Sequence, residues 1–221
     1  MGAKKINLLG NLKFSESKSQ KNYNFHNKLN KLFKHRIIWC AASTHNTEEK
    51  ICALAHKKLK IKHKNLLTII IPRHIQRSNS IINEIEDLNL KVQKRSANNK
   101  INENTDIYLV DSYGETKSFY KMCKTVFLGG SLINHGGQNP LEPARVGCKI
   151  LHGPYVQNFN EVYNFLEKNN LSIKFHNTEQ LVNSLKKSLS TKKNFTNKTT
   201  KLKKMGSNIL NNTLTNINSY L

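Results

Sequence analysis

Acidic side chains, glycine and proline are all scarce in this 221-residue chain. The sequence has 14 Asp and Glu residues against 36 Lys and Arg residues, so its formal net charge is +22. This excess of cations suggests a polyanionic partner such as nucleic acid, anionic lipid or a phosphorylated substrate. Only five of the cations are arginine, however, and an A/T-rich genome would also produce a chain rich in Lys, Asn and Ile. The charge alone leaves both explanations open.

Cysteine is also rare, and long apolar runs are absent. The four cysteines, at positions 40, 52, 123 and 148, have no CxxC or other metal-ligand spacing. They therefore predict buried, reduced thiols rather than disulfides or a metal site. No stretch approaches the ~20 apolar residues of a membrane-spanning helix, and no signal peptide is visible. We expect a soluble or membrane-peripheral protein that binds no metal or other cofactor.

The sequence is richer in secondary-structure signals. From residue 36 onward, seven short apolar runs alternate with helical patterns at about 47–60, 77–88, 115–123, 140–147, 158–168 and 178–189. The runs are continuous rather than alternating in polarity, which is typical of strands covered on both faces. This alternation predicts a doubly wound, mostly parallel α/β sheet with a Rossmann-like fold. Apolar residues at helical spacing within 15–35 predict a further helix before the first strand.

In open α/β sheets, ligands bind beyond the carboxyl ends of the strands, so the residues that follow each run are the candidates. After "IIWCAA", Ser43, Thr44 or Thr47 can cap the next helix, and Ser43 and Thr44 are also candidates to contact a ligand. Glu48 and Glu49 then favour the positive end of that helix. An acidic first turn leaves less room for a phosphate, so we expect this turn to support the site rather than to be the main anion site.

Two arginines close to a strand end are a more specific signal, because the other cations here are nearly all lysine. Arg73, His74 and Arg77 follow directly after "LLTIIIP", where Pro72 ends the strand. The planar guanidinium can bind phosphate or carboxylate in bidentate fashion, which lysine cannot do. The alternative is an ordinary exposed helix start.

The few glycines and prolines are concentrated in one window, 127–154, which holds six of the ten glycines and three of the four prolines. Glycine permits positive φ and close approach to the backbone, so the window predicts a binding surface made largely of main chain. Gly130 ends the apolar run "TVFLGG" and Ser131 follows it, and Asn139 and Pro140 are typical of the N-cap and first position of a helix. Glu142, in that first turn, could accept hydrogen bonds from a ribose.

These segments resemble the C-terminal half of 3-deoxy-D-manno-octulosonic acid (Kdo) transferase. Five of them occur in the same order and spacing as in that family: "STHNTEE", "PRHIQR", "DSYGET", "FLGGSLINHGGQNPLEPA" and "GPYVQNF". The start, "MGAKKINLLGNLKF", is similar to the family's Gly-x-Leu-Lys-Phe segment. The resemblance spans roughly residues 2–185, and its most specific part is the glycine-rich block.

The resemblance implies a two-domain glycosyltransferase B fold, of which this chain would be the C-terminal donor domain. The family transfers Kdo from CMP-Kdo to lipid IV-A, with inversion and without metal, at the cytoplasmic face of the bacterial inner membrane during lipopolysaccharide assembly. The implied partners are CMP-Kdo, lipid IV-A, the anionic membrane surface and a separate N-terminal half. The implied division of the chain is an interdomain segment with a lead-in helix (1–35), a nucleotide-sugar-binding Rossmann-like domain (36–190) and a basic C-terminal helix or tail (191–221).

The resemblance also implies residue roles. The positions that match the family's CMP-binding residues are Pro72, Arg73, Tyr113, Gly114, Glu115, Asn139, Pro140, Leu141 and Glu142. Further candidate ligand residues are Ser43, Thr44, His74, Gly130 and Ser131. Lys13 matches the family's transition-state-stabilising lysine.

The sequence departs from the family pattern at several positions. Tyr113 stands where methionine is usual, Gln138 where histidine is usual and Asn11 where serine is usual. None of the acids in this sequence matches the family's catalytic glutamate, which belongs to the N-terminal half. We therefore expect the chain to be inactive by itself.

Two alternatives stay open at this point. One is another nucleotide-sugar transferase of the same fold, using a UDP- or GDP-sugar. The other, weaker one is a basic nucleic-acid-binding module, although the sequence has no recognisable nucleic-acid-binding motif. Our interpretation includes no nucleic-acid partner.

Overall fold

The fold is one parallel sheet with helices on both faces. A computed structural model describes residues 6–15, 31–97, 101–190 and 196–219. The strands are β1 (Ile37–Thr44), β2 (Leu66–Pro72), β3 (Val92–Lys94), β4 (Ile107–Leu109), β5 (Thr125–Leu128), β6 (Lys149–His152) and β7 (Ser172–Lys174). The helices are α1 (Glu48–Lys60), α2 (Ser78–Glu86), α3 (Thr116–Met122), α4 (Leu141–Arg145), α5 (Asn160–Lys168), α6 (Thr178–Ser190) and α7 (Thr196–Asn218).

Every predicted apolar run forms a strand, and the six predicted helices from 47 to 189 are present with boundaries shifted by at most two residues. All six strand pairings are parallel, and the strand order is β3-β4-β2-β1-β5-β6-β7. The predicted doubly wound α/β fold is thereby confirmed. The predicted lead-in helix falls largely on residues 16–30, which lie outside the described residues.

The continuous apolar runs follow from burial on both faces of the sheet. Along β2, Leu67 and Ile69 pack into one core and Leu66 and Ile70 into the other, because successive side chains point to opposite faces. Helices α1, α2 and α6 cover one face, and α3, α4, α5 and α7 cover the other. All four cysteines are buried and free, as predicted.

Strand order reverses between β1 and β5, and this position determines where a ligand would bind. From β1 the chain proceeds outward to β2 and then to the edge strand β3, comes back to form β4 between β3 and β2, and then returns to the other side of β1 as β5. Helix α1, after β1, and helix α4, after β5, cover opposite faces of the sheet, so we expect a ligand-binding crevice at the carboxyl edge between these two strands. The glycine-rich window begins at the end of β5.

The N-terminal segment is held against the C-terminal helix. Phe14 is buried and packs edge-on against Phe165 of α5, with 5.7 Å between ring centroids. A Cβ at Gly206 of α7 would lie 2.0 Å from the Phe14 carbonyl oxygen, so only glycine permits this close contact. Arg145 donates hydrogen bonds to the carbonyl oxygens of Phe14 (2.7 Å) and Ser15 (2.8 Å).

The C-terminal segment is helical over Thr196–Asn218, which is the first of the two predicted alternatives. Across the ranges that the structure describes, every helix is too short or too polar to pass through a bilayer. The division into three segments stays a prediction.

A buried polar cluster joins α1 to the amino ends of β2 and β4. His56 is inaccessible to solvent; its Nδ1 lies 2.8 Å from the Thr68 hydroxyl and its Nε2 lies 3.3 Å from Asp106 Oδ1. Lys60 pairs with the same carboxylate, and the Lys91 amide donates to it at 2.9 Å. Burial favours the neutral acid, but hydrogen bonds from His56, Lys60 and Lys91 outweigh it and hold the pKa of Asp106 well below its usual range. Burial also lowers the pKa of His56 and keeps its imidazole neutral.

We expect Asp106→Asn to lower the free energy of unfolding by about 2 kcal/mol, because His56 and Lys60 lose their charged partner while Lys60 can still be hydrated. The folded-state pKa of Asp106 is depressed, so its contribution is complete above about pH 4 and is lost as pH falls through the folded-state value. Urea unfolding at pH 7 and at a series of lower pH values measures both effects. The exposed carboxylate of Asp87 provides the control, Asp87→Asn. Equal stability of the two variants at pH 7 would contradict this role for Asp106.

Candidate functional site

The site residues predicted from the sequence lie on four neighbouring loops. Strands β4, β2, β1 and β5 are adjacent, and each is followed by one of the candidate segments. The Arg73 amide donates to the Thr44 carbonyl oxygen at 2.9 Å, and the Gly129 amide donates to the Ala42 carbonyl oxygen at 2.9 Å. Lys117 of α3 pairs with Glu142 of α4 at 3.3 Å. These contacts join the loops into one surface, which we call the carboxyl-edge site.

Glu48 holds the centre of this surface together. Its buried carboxylate accepts four main-chain hydrogen bonds, from His45 (2.9 Å), Gly130 (2.8 Å), Ser131 (3.1 Å) and Leu132 (3.0 Å). Burial raises the pKa of Glu48, and the four N–H donors oppose that rise. These amides therefore hold the protein's own carboxylate. The supporting role expected for this acidic turn is explained by this geometry.

Two glycines make this arrangement possible. A Cβ at Gly129 would lie 2.4 Å from the Ser43 carbonyl oxygen, so a side chain there would separate β1 from β5. Gly130 has φ +65°, a conformation in which side chains are disfavoured. The loop can turn over Glu48 only because both positions lack a side chain.

Several predicted ligand residues are used within the fold. The buried Ser131 hydroxyl donates to the Leu128 carbonyl oxygen at 2.5 Å and accepts from the Gly153 amide at 2.9 Å. Thr44 is inaccessible to solvent, and Ser43 adopts a positive φ of 55° at an irregularity in the β1–β2 register. The predicted side-chain cap of α1 is not formed, since Thr47 at the cap position makes no such hydrogen bond. Ser131 therefore joins the loop after β5 to the end of β6, and Thr44 lies beneath the surface of the loop after β1.

The two arginines after β2 have different surroundings. Arg77 donates to the carboxylate of buried Glu49 at 2.9 Å and to Asn46 at 3.2 Å. Arg73 is exposed, and within the described residues its guanidinium has no hydrogen-bond or ion-pair partner. Pro72 is buried at the end of β2, and His74 is exposed. Arg73 is thus the guanidinium available to an incoming anion.

The loop after β4 exposes main chain and an aromatic ring. Tyr113 is 66% exposed, and Gly114 has φ +83° with open space on its Cβ side. Glu115 accepts hydrogen bonds from the Ser112 hydroxyl (2.5 Å) and from Arg95 (3.3 Å). The Glu115 side chain is therefore oriented by the fold.

The start of α4 agrees closely with its sequence signal. Asn139 Oδ1 accepts a hydrogen bond from the Leu141 amide at 3.0 Å, which is the contact an N-cap residue makes. Pro140 and Leu141 are buried, whereas Glu142 is largely exposed. The helix has only five residues, so its dipole contributes little to binding an anion.

Three histidines form a cluster that the sequence prediction missed in part. The His45 ring lies 4.4 Å from the His135 ring and 5.8 Å from the His74 ring, measured between centroids. We call these three residues the imidazole cluster. Only His74 was a candidate; the positions of His45 directly after β1 and of His135 beside Gly136 were the signals available. Among residues with described positions, no group of three or more His, Cys, Asp or Glu side chains could hold a metal ion.

Lys13 lies in a short 3-10 helix, Leu12–Phe14. The Arg145 contacts to Phe14 and Ser15 hold the backbone of this segment beside α4. The Lys13 side chain belongs to the part of the chain that the structure does not describe, so its role stays a prediction.

The fold matches a domain of the glycosyltransferase B fold. The C-terminal CMP-Kdo-binding domain of WaaA from Acinetobacter baumannii is similar over 85% of this chain and 98% of that domain, with a TM-score of 0.70 and 27% identity. A trehalose 6-phosphate synthase from Burkholderia multivorans has a TM-score of 0.53 at 10% identity, which shows the shared fold alone. The chain is therefore a glycosyltransferase-type Rossmann-like domain.

Sequence relatives identify the family. The chain is 37% identical to the Kdo transferase of Haemophilus influenzae over 163 residues, or 73% of this chain. It is 33% identical to the Kdo transferase of Aquifex aeolicus over 192 residues, or 87% of this chain. No family model matches the chain. The chain belongs to the 3-deoxy-D-manno-octulosonic acid transferase family and corresponds to its C-terminal part. It spans 38% of the Haemophilus protein and 50% of the Aquifex protein, so about half or less of these relatives' length.

We expect Glu48→Gln to lower the free energy of unfolding by about 3 kcal/mol, because the amide NH₂ would face main-chain donors and leave buried N–H groups unpaired. Amide hydrogen exchange at Gly130 and Ser131 should also become faster. Urea unfolding and exchange measured by NMR check both effects. Glu86→Gln, at an exposed position on α2, is the matched control. Unchanged protection of the Gly130 amide would show that Glu48 does not hold the loop.

Proposed function

We propose that this chain is the donor-binding half of a Kdo transferase and binds CMP-Kdo at the carboxyl-edge site. The observation that carries the proposal is the similarity over 98% of a domain described as CMP-Kdo-binding, with the candidate residues of four loops joined on one surface. Arg73 supports it further, because a guanidinium without a partner among the described residues lies at the strand end where nucleotide phosphates bind in such folds.

Each loop has a distinct part in this proposal. Arg73 holds the phosphate of the leaving CMP through its planar fork. The exposed main chain at Gly114, beside Tyr113, contacts the cytosine base, since the open side of Gly114 lets a ligand approach the backbone. Glu142 accepts hydrogen bonds from the ribose hydroxyls, and its pairing with Lys117 brings the Gly114 loop and α4 to the same ligand.

The reaction that we propose is an inverting sugar transfer. An acceptor hydroxyl on lipid IV-A attacks the anomeric carbon of Kdo while the bond to the phosphate of CMP breaks. Arg73 stabilises the negative charge that develops on the leaving phosphate, and Lys13 balances charge in the transition state. The proton of the attacking hydroxyl passes to a base on an N-terminal acceptor half.

The acceptor also suggests a location. Lipid IV-A lies in the membrane, so we propose peripheral contact with the anionic cytoplasmic face of the bacterial inner membrane. The formal charge of +22 favours such a surface electrostatically.

We expect the chain to bind CMP in preference to UMP, and Arg73→Ala to weaken CMP binding by about 1.5–3 kcal/mol, the contribution of a hydrogen bond to a charged group. Arg73→Lys should restore only part of this loss, because lysine lacks the fork geometry. Isothermal titration calorimetry with CMP, UMP and GMP measures the preference and the losses. Lys62→Ala, an exposed cation after α1, is the control.

Equal binding of UMP or GMP would favour a transferase that uses another nucleotide sugar. Full recovery with Arg73→Lys would show that residue 73 acts as a simple point charge.

We expect the 221-residue chain, assayed alone, to transfer no Kdo to lipid IV-A even with saturating CMP-Kdo. A base must lie within hydrogen-bond reach of the attacking hydroxyl, and the proposal places that base on the other half of the enzyme. Adding an N-terminal half in trans should restore turnover if the two halves associate. Thin-layer chromatography of the lipid product with and without that half tests this. Robust transfer by the chain alone would mean that a local acid such as Glu115 serves as base.

A further inference from the structure

His45 combines deep burial with a nitrogen that has no partner. The residue is 8% exposed, and its Nε2 atom is buried without a hydrogen-bond partner in the described structure. A buried polar atom in this condition costs stability unless it serves a function. Neither the fold nor the roles assigned above use this atom.

The atoms around Gly130 show which way the His45 ring points. A Cβ built on Gly130 would lie 3.3 Å from His45 Nε2, 3.2 Å from His135 Cδ2 and 3.4 Å from Gln138 Nε2. The imidazole nitrogen, the His135 ring and the Gln138 amide therefore converge on the side of Gly130 that a side chain would fill. This convergence lies just beyond the carboxyl ends of β1 and β5.

The charges around His45 favour an anion over a cation. Arg73, His74 and Arg77 face it from the turn after β2, and His135 faces it from the loop after β5. The nearby Glu48 carboxylate is bound by four main-chain amides. Burial, followed by these cationic neighbours, lowers the pKa of His45 to about 4. The imidazole is thus neutral at pH 7 in the ligand-free protein, and an anion beside it would reverse the electrostatic cost of protonation.

We propose that His45 is an anion ligand of the donor site, which at mildly acidic pH takes up a proton from solvent and donates Nε2–H to an anionic oxygen bound over Gly130. The oxygen belongs to the phosphate or to the sugar carboxylate of the donor, both of which are oxyanions. This inference rests on the proposed function, because the anion belongs to the proposed donor, CMP-Kdo, which is an activated keto-acid sugar.

Proton uptake makes donor binding pH-dependent in a defined direction. The anion raises the pKa of His45, so affinity increases as pH falls between the bound-state and free-state values and is independent of pH above the bound-state value. An opposite charge at this distance raises a histidine pKa by about one to two pH units. Within that window, affinity should change by up to about tenfold per pH unit.

The test follows the His45 ring by NMR during pH titration of the whole chain. Spectra are recorded with no ligand, inorganic phosphate, cytidine, CMP, and a CMP-activated keto-acid sugar. We expect the His45 midpoint to rise by about one pH unit or more with an oxyanion ligand and to stay unchanged with cytidine. A rise with CMP assigns the contact to the phosphate, and a rise only with the activated sugar assigns it to the carboxylate. Both results support the proposal.

Variants separate this inference from the proposed function. His45→Gln should weaken binding of the oxyanion ligand about tenfold at pH 5.5 and remove the pH dependence, whereas His176→Gln, an exposed histidine after β7, should change neither. If CMP and the activated sugar bind while the His45 midpoint and the His45→Gln affinity stay unchanged, this inference is wrong and the proposed function stands. If inorganic phosphate shifts His45 but the cytidine nucleotides do not bind, the anion site stands and the proposed function fails. Binding of none of these probes would overturn both.

Discussion

The carboxylate of Glu48 is the interaction on which the site depends. It joins the turn after β1 to the turn after β5 through four main-chain hydrogen bonds, at the point where the strand order reverses. In many folds of this type, such amides are free to bind a phosphate. Here they hold an internal anion, so the loops are organised before any ligand arrives. The charge of the proposed donor would then be met by side chains farther out.

Those side chains divide into two kinds. Arg77 is committed to buried Glu49 and the Asn46 amide, so it stabilises the turn that carries its neighbours. Among the described residues, the side chains of Arg73 and of the imidazole cluster have no acidic partner. Arg73 therefore keeps positive potential at the site while the carboxylates of Glu48 and Glu49 are bound within the fold, which favours an anionic ligand over a cation. The close contact between Gly206 and Phe14 holds the segment that contains Lys13 against helix α7.

Much of the fold could be predicted from local patterns. Seven continuous apolar runs predicted seven strands, since residues buried on both faces leave no polar alternation. Asn139 and Pro140 predicted the start of α4, because a cap depends on neighbouring residues only. The candidate loops were predicted for the same reason: in a parallel sheet, ligand-facing segments follow strands directly. The resemblance to Kdo transferase added Lys13, which no pattern of composition would have distinguished from the other lysines.

The tertiary structure decided which of these residues are available to a ligand. In the sequence, Glu48 is simply the first residue of helix α1. In the fold, three of the four amides that donate hydrogen bonds to it belong to residues more than 80 positions away. Arg73 and Arg77 have the same chemistry in the sequence, and only the buried position of Glu49 distinguishes them. His45, His74 and His135 meet because β1, β2 and β5 are neighbours in the sheet. Burial and partnership arise from contacts between distant segments, so local sequence determined the elements and the candidate positions, and the packing of the sheet determined their roles.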